Sequence, residues 1–192
     1  EAEGNTGHTI IRIDRNAQNS ILLFAGTNDM LTESYVDEVI ADFEEGDILL
    51  NTTLAETNDW QQVDLPVVRT LRHFCIETLS SYTEDNQACI SEVDLLDDKG
   101  QPIDKTKWEV VYVSSEQADK NLGVAENLFD GDISSFWHTD PATEPGQPHR
   151  IIVDIKEIYK ISALRFKVRK GAFLSGKVKE INVYGRPQFF LF

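Results

Sequence analysis

Apolar residues recur along this chain in two rhythms. Short strand-like runs dominate. His8–Asp14 (HTIIRID) and Ser20–Ala25 (SILLFA) read as a strand pair joined through a connection containing Asn16 and Asn19, which favour a turn. Gly26–Asp29 breaks that pattern, and a helical period replaces it: Leu31, Tyr35, Val36, Val39, Ile40 and Phe43 share one face of a predicted helix over 31–43. Thr32 serves as its N-cap, Glu33, Asp37, Glu38 and Asp42 take the opposite face, and Gly46 ends it. Asp47–Leu50 opens a short apolar strand.

From Trp60 onward no helical period persists. VDLPVV, TLRHFCIETL and ACISEVDLL are strand-like, and the polar loop 80–87 between the last two predicts a hairpin that sets Cys75 opposite Cys89. A cross-strand disulfide and two buried thiols are both open there, and the second is preferred. After the turn 97–100 come WEVVYVSSE, a loop-rich stretch over 117–147, and the strands RIIVDI, ISALRFKV and KEINVYG. Many short strands separated by turns predict a sandwich. The shift in composition near 51–59 predicts a boundary between a small α/β segment, 1–55, and a β-sandwich, 56–192.

Charge narrows the function. Asp and Glu number 33 against 18 Lys and Arg, for a net charge of −15, which argues against a nucleic-acid surface because phosphate contacts need basic side chains. The basic residues of 156–179 alternate with apolar ones, as on a strand face. No apolar run approaches the roughly 18 residues that span a bilayer. Glu1–Gly4 offers neither a basic nor an apolar region, so no signal peptide is expected within the chain. No phosphate loop, nucleophile elbow, zinc motif or dinucleotide fingerprint occurs, and His8, His73, His138 and His149 are scattered. His73, within a strand, reads as a packed side chain. The chemistry concentrates in Glu126–His138, ENLFDGDISSFWH, where Asp130 and Asp132 flank Gly131 and Ser135 adds a hydroxyl. Hard oxygen ligands at this spacing suit calcium, though an Asp-Gly-Asp by itself more often marks a turn.

SSE (114–116), AENLFDGDISSFWHT (125–139), PHRIIVDI (148–155) and ALRFKVRKG (163–171), in that order and spacing, resemble the discoidin or coagulation factor 5/8 type C domain over Val113–Gly185, in its bacterial carbohydrate-binding form. The resemblance implies a jelly-roll β-sandwich, galactose-binding-like, serving as a non-catalytic carbohydrate-binding module of a secreted, periplasmic or cell-surface glycan-degrading protein. It implies a structural calcium held by the Asn127 carbonyl, Asp130, Asp132 and Ser135, and sugar contacts from His138, Arg169 and Phe173 in the loops. Residues 60–96 are similar to the closing half of such a domain, with Ser91-Glu92 at the place that completes the calcium site. Either these residues end a preceding broken domain, or they supply missing strands in permuted order. The second leaves no open sheet edges, and then Glu92 is the last ligand; without permutation it is Glu180. Gly7–Leu50 resembles an internal segment of ribokinase, of the PfkB sugar kinase family, without that family's catalytic Gly-Ala-Gly-Asp turn or Gly-Gly sugar site. The alternatives to a sugar-binding module are therefore a kinase fragment lacking its catalytic motif and a protein-interaction discoidin domain.

Overall fold

The computed structural model describes residues 24–25, 29–30, 48–83, 85–119, 123–142, 146–169 and 175–187. Its strands are β1 (Phe24–Ala25), β2 (Asp29–Met30), β3 (Ile48–Thr53), β4 (Trp60–Ser81), β5 (Cys89–Ile90), β6 (Glu92–Asp97), β7 (Glu109–Val113), β8 (Trp137–His138), β9 (His149–Lys167) and β10 (Val178–Arg186). The fold is mainly β, as the short strand-like runs predict. The principal sheet has the order β3-β10-β4-β9-β6, with β7 also pairing to β9, and β5 pairs with β8. All these pairings are antiparallel. The helix predicted over 31–43 and the strand His8–Asp14 lie outside the described residues; Phe24–Ala25 pairs with Asp29–Met30 across the expected break.

Two long strands organise the sandwich. RIIVDI and ISALRFKV, read from the sequence as separate strands, are one continuous β9, antiparallel to β4 over nearly its whole length. The register slips twice. Asp64 faces Ala163 but Arg69 faces Ile161, so β4 carries the extra residues; Leu71 faces Tyr159 but His73 faces Asp154, so there β9 does. Such bulges bend a ribbon. On one side of the bend β9 pairs with β7, on the other with β6. Leu71, Phe74, Ile76, Ile151 and Val153 from one half join Val93, Leu95, Leu164 and Phe166 from the other in a single core. Val67, Val68 and Ile158, the residues displaced at the bulges, are exposed.

The predicted hairpin between residues 75 and 89 does not form. β4 pairs instead with β9 and β10, and Cys89 faces His138 rather than Cys75. Neither cysteine forms a disulfide, and both are buried. Residues 60–96 and 109–186 contribute to one core. β3 hydrogen-bonds to β10, and Leu49, Leu50 and, just beyond it, Leu54 are buried. Gly185 makes that approach feasible: a Cβ there would meet Leu49 Cδ1 at 2.6 Å. Among the described residues no helix is long and apolar enough to cross a membrane.

Candidate functional site

The acidic loop follows a 3-10 turn, Ala125–Leu128, anchored by buried Leu128 and by the Ala125 N–H, which donates to buried Glu116 Oε2 at 2.9 Å. Trp137 closes the loop. Its ring is fully buried and its Nε1–H donates to the Ser115 carbonyl at 2.9 Å, so it is core rather than a sugar platform. Between these anchors Gly131 takes φ +82°, which a side chain resists, and the chain folds back. Asp130 accepts from Asp132 N at 2.7 Å and Ser135 Oγ at 2.7 Å. Asp132 accepts from Ser134 N at 2.8 Å and Ser134 Oγ at 2.6 Å, bonds that hold its carboxyl below the usual range. Asn127 donates from Nδ2 to the Phe136 carbonyl at 2.9 Å.

Glu92, at the start of β6, reaches this loop: Gly131 N donates to its Oε1 at 3.4 Å. Glu180 does not; it is exposed on β10 and accepts from Ser80 Oγ at 2.6 Å. Glu92 is 1% exposed, and its Oε2 is buried with no hydrogen-bond partner. Burial pushes its carboxyl up, against the pull of Lys105 and the Gly131 N–H. As the side chains stand, no three His, Cys, Asp or Glu among the described residues converge as a metal-binding group. Lys105 was not legible as part of this site, since it lies in a turn outside every recognisable motif.

The second feature occupies the end of the sandwich where residues 85–88, 139–142, 146–148 and 175–177 meet. Asp85 organises it, accepting from Ser81 Oγ at 3.1 Å and from Gly176 N at 3.0 Å. Burial raises its carboxyl, but these bonds and those from Thr83 and Gln87 outweigh it and hold the carboxyl low. Gly176 adopts φ +73°, and a Cβ there would lie 2.9 Å from the Ala88 carbonyl carbon. Thr139 Oγ1 accepts from Ala88 N at 3.0 Å, and His149 donates from Nε2 to the Asn86 carbonyl at 2.7 Å. The result is a pocket of about 100 Å³ lined chiefly by Asp85, Asn86, Gln87, Thr139, Asp140 and His149. Its lining accepts more hydrogen bonds than it donates.

Beside the pocket lies His138, 4% exposed. Its Nδ1–H donates to the Thr139 carbonyl at 2.5 Å, so Nε2 accepts from Ser175 Oγ at 2.9 Å. Burial lowers its pKa, and a neutral imidazole satisfies both bonds. Arg169 is half-buried, with its guanidinium 3.7 Å from the centre of the Phe136 ring. The Phe136 and His138 rings lie 6.4 Å apart edge-on, which joins His138 and Arg169 in one cluster. Phe173 lies outside the described residues. The pocket residues come from two stretches distant in sequence, 85–87 and from Thr139 to His149, and only Thr139 and His149, inside the AENLFDGDISSFWHT and PHRIIVDI runs, carried any signal of their position.

A bent β-sandwich with an acidic loop on one flank and a polar pocket among end loops is the architecture expected of a discoidin domain, and residues 110–188 match the F5/8 type C domain family. A sialidase from Micromonospora viridifaciens is 33% identical over 84 residues, 43% of this chain. The chain spans 13% of that protein's length. The ribokinase resemblance over 7–50 finds no support in these comparisons, and a kinase fragment is not retained.

Proposed function

We propose that this protein is a non-catalytic carbohydrate-binding module that holds a neutral or amino sugar at the loop end of its sandwich, as an accessory part of a larger secreted glycan-degrading protein. The observation that carries the reading is the polar pocket between Asp85 and His149, next to the His138–Arg169 cluster. The F5/8 type C match and the likeness to a sialidase support it. Hydroxyl and amino groups of a sugar donate to carboxylates and carbonyls, which is what this lining supplies. Arg169 donates from the rim, Phe136 fixes its guanidinium, and His138 positions the loop through Thr139 and Ser175. The carboxylates of Asp85 and Asp140 disfavour acidic sugars. A shallow site of this size desolvates few groups, so binding falls at millimolar to micromolar strength, about 4–8 kcal/mol.

A structural calcium fits the acidic loop by its donor set. Glu92 offers a buried oxygen with no partner beside a loop whose ligands are all oxygens. Glu92, Asp130, Asp132, Ser135 and the Asn127 carbonyl would hold the ion. It would supply neutralisation of the carboxylates and a tie between the loop and β6.

A glycan array probed with the intact protein tests the proposal. Retention on neutral or amino sugars, lost in Arg169→Ala, is expected. Absence of retention on every glycan overturns it.

A further inference from the structure

Lys105 sits between β6 and β7, its side chain 17% exposed. Its Nζ donates to Glu92 Oε1, to Asp94 Oδ1 at 2.8 Å and to the Val93 carbonyl at 3.4 Å. Glu92 and Asp94 are two positions apart on β6 and present their carboxylates to the same side, where one ammonium reaches both. Asp94 has a second cation, Arg165. Glu92 has Lys105, and it is also the carboxylate whose Oε1 touches Gly131 of the acidic loop and whose Oε2 is buried without a partner. The same anion therefore faces an ammonium from its own fold and the oxygen-lined loop.

We propose that Lys105 is a built-in counter-cation for Glu92, competing with divalent metal at the Asp130 loop and setting how strongly this chain depends on calcium. The proposal rests on the calcium reading above. A buried carboxylate must be paired, and here the pair forms without metal. Calcium binding then places two cations against one carboxylate, or displaces a flexible lysine from three acceptors. Either route weakens the metal. Without Lys105, Glu92 is left for calcium alone, and folding becomes metal-linked.

The test uses the intact protein and two variants, Lys105→Met and Lys105→Gln, titrated with calcium chloride by calorimetry and by thermal melting against EDTA. Lys105→Gln keeps a hydrogen-bond donor and remains readable if Lys105→Met folds only with calcium. Both variants are expected to bind calcium at least about tenfold more tightly than the unmodified protein and to show a larger EDTA-induced drop in Tm. Equal calcium affinity in all three proteins overturns the competition while leaving the calcium reading intact. No calcium-dependent heat or Tm shift in any of them overturns the calcium reading and the competition together.

Discussion

His73 shows how burial alone makes a side chain sensitive to pH. It is 6% exposed on β4, 3.6 Å from Asp154, with Arg72 and Lys156 also bonded to that carboxylate. Burial lowers its pKa from 6.5 to about 4, Asp154 raising it and the two cations lowering it further. The unfolded chain protonates this histidine near 6.5 and the native chain only near 4, so the unfolded state binds the extra proton in between. Stability therefore falls as pH drops from about 6.5 to about 4, by on the order of 3 kcal/mol from this residue. His138 and His149, also lowered by burial, act in the same direction. Urea denaturation between pH 7.5 and 4.5 should show this decline, and His73→Gln should flatten it; an unchanged slope contradicts the assignment. Gly176 makes a second residue-scale prediction. Its positive φ and the backbone of Ala88 at 2.9 Å leave no place for a methyl, so Gly176→Ala should cost about 2–3 kcal/mol in a denaturant melt. Gly100→Ala, with φ +75° but open space, should cost less. At this scale the Asp-Gly-Asp motif and the packed His73 were readable, because each is a local pattern. Lys105 and Asp85 were not, because Lys105 reaches back across a turn to Glu92 and Asp94 and Asp85 meets Gly176 on a distant loop, pairings that no local pattern shows.

The bent β4–β9 ribbon explains which side chains carry stability at the scale of the strands. Ile76 and Phe74 lie where β4 passes through the core, and neither is more than 1% exposed. Truncating them, Ile76→Ala or Phe74→Ala, should cost about 2–5 kcal/mol each by urea denaturation. Val67 and Val68, expelled at the bulge, should tolerate Thr within about 0.5 kcal/mol. A large loss at Val67 would mean that the bulge packs against something. The strands KEINVYG and RIIVDI were legible as short apolar runs, yet their partners were not. Register between residues about 80 positions apart depends on cross-strand contacts that no local window contains. The same holds for β3, whose DILL run looked like part of a separate segment until its pairing with β10 placed it in the sandwich. The hairpin expected around residues 80–87 failed for a related reason: a polar loop between two strands indicates a turn but not which strand receives the chain.

Over the whole molecule, a net charge of −15 and the carboxylates at the pocket act together. Neutral glycans should be retained and sialylated ones rejected at low salt, with the discrimination narrowing as ionic strength shortens the Debye length below about 10 Å. Equal retention of sialylated and neutral glycans would contradict this. The proposed calcium site belongs to the same scale. EDTA should lower Tm by a few degrees, Asp130→Ala should abolish that response, and Asp98→Ala, in an exposed turn, should keep it. The most direct test of the central claim is nuclear magnetic resonance shift mapping of the labelled protein titrated with galactose, glucose and glucosamine. The account predicts saturable shifts, for at least one of these sugars, confined to the amides of residues 85–88, 139–140, 146–147, 149 and 175–176 and the Arg169 side chain. Shifts centred on the bend at Val67, Val68 and Ile158, or none with any of the three, would contradict it.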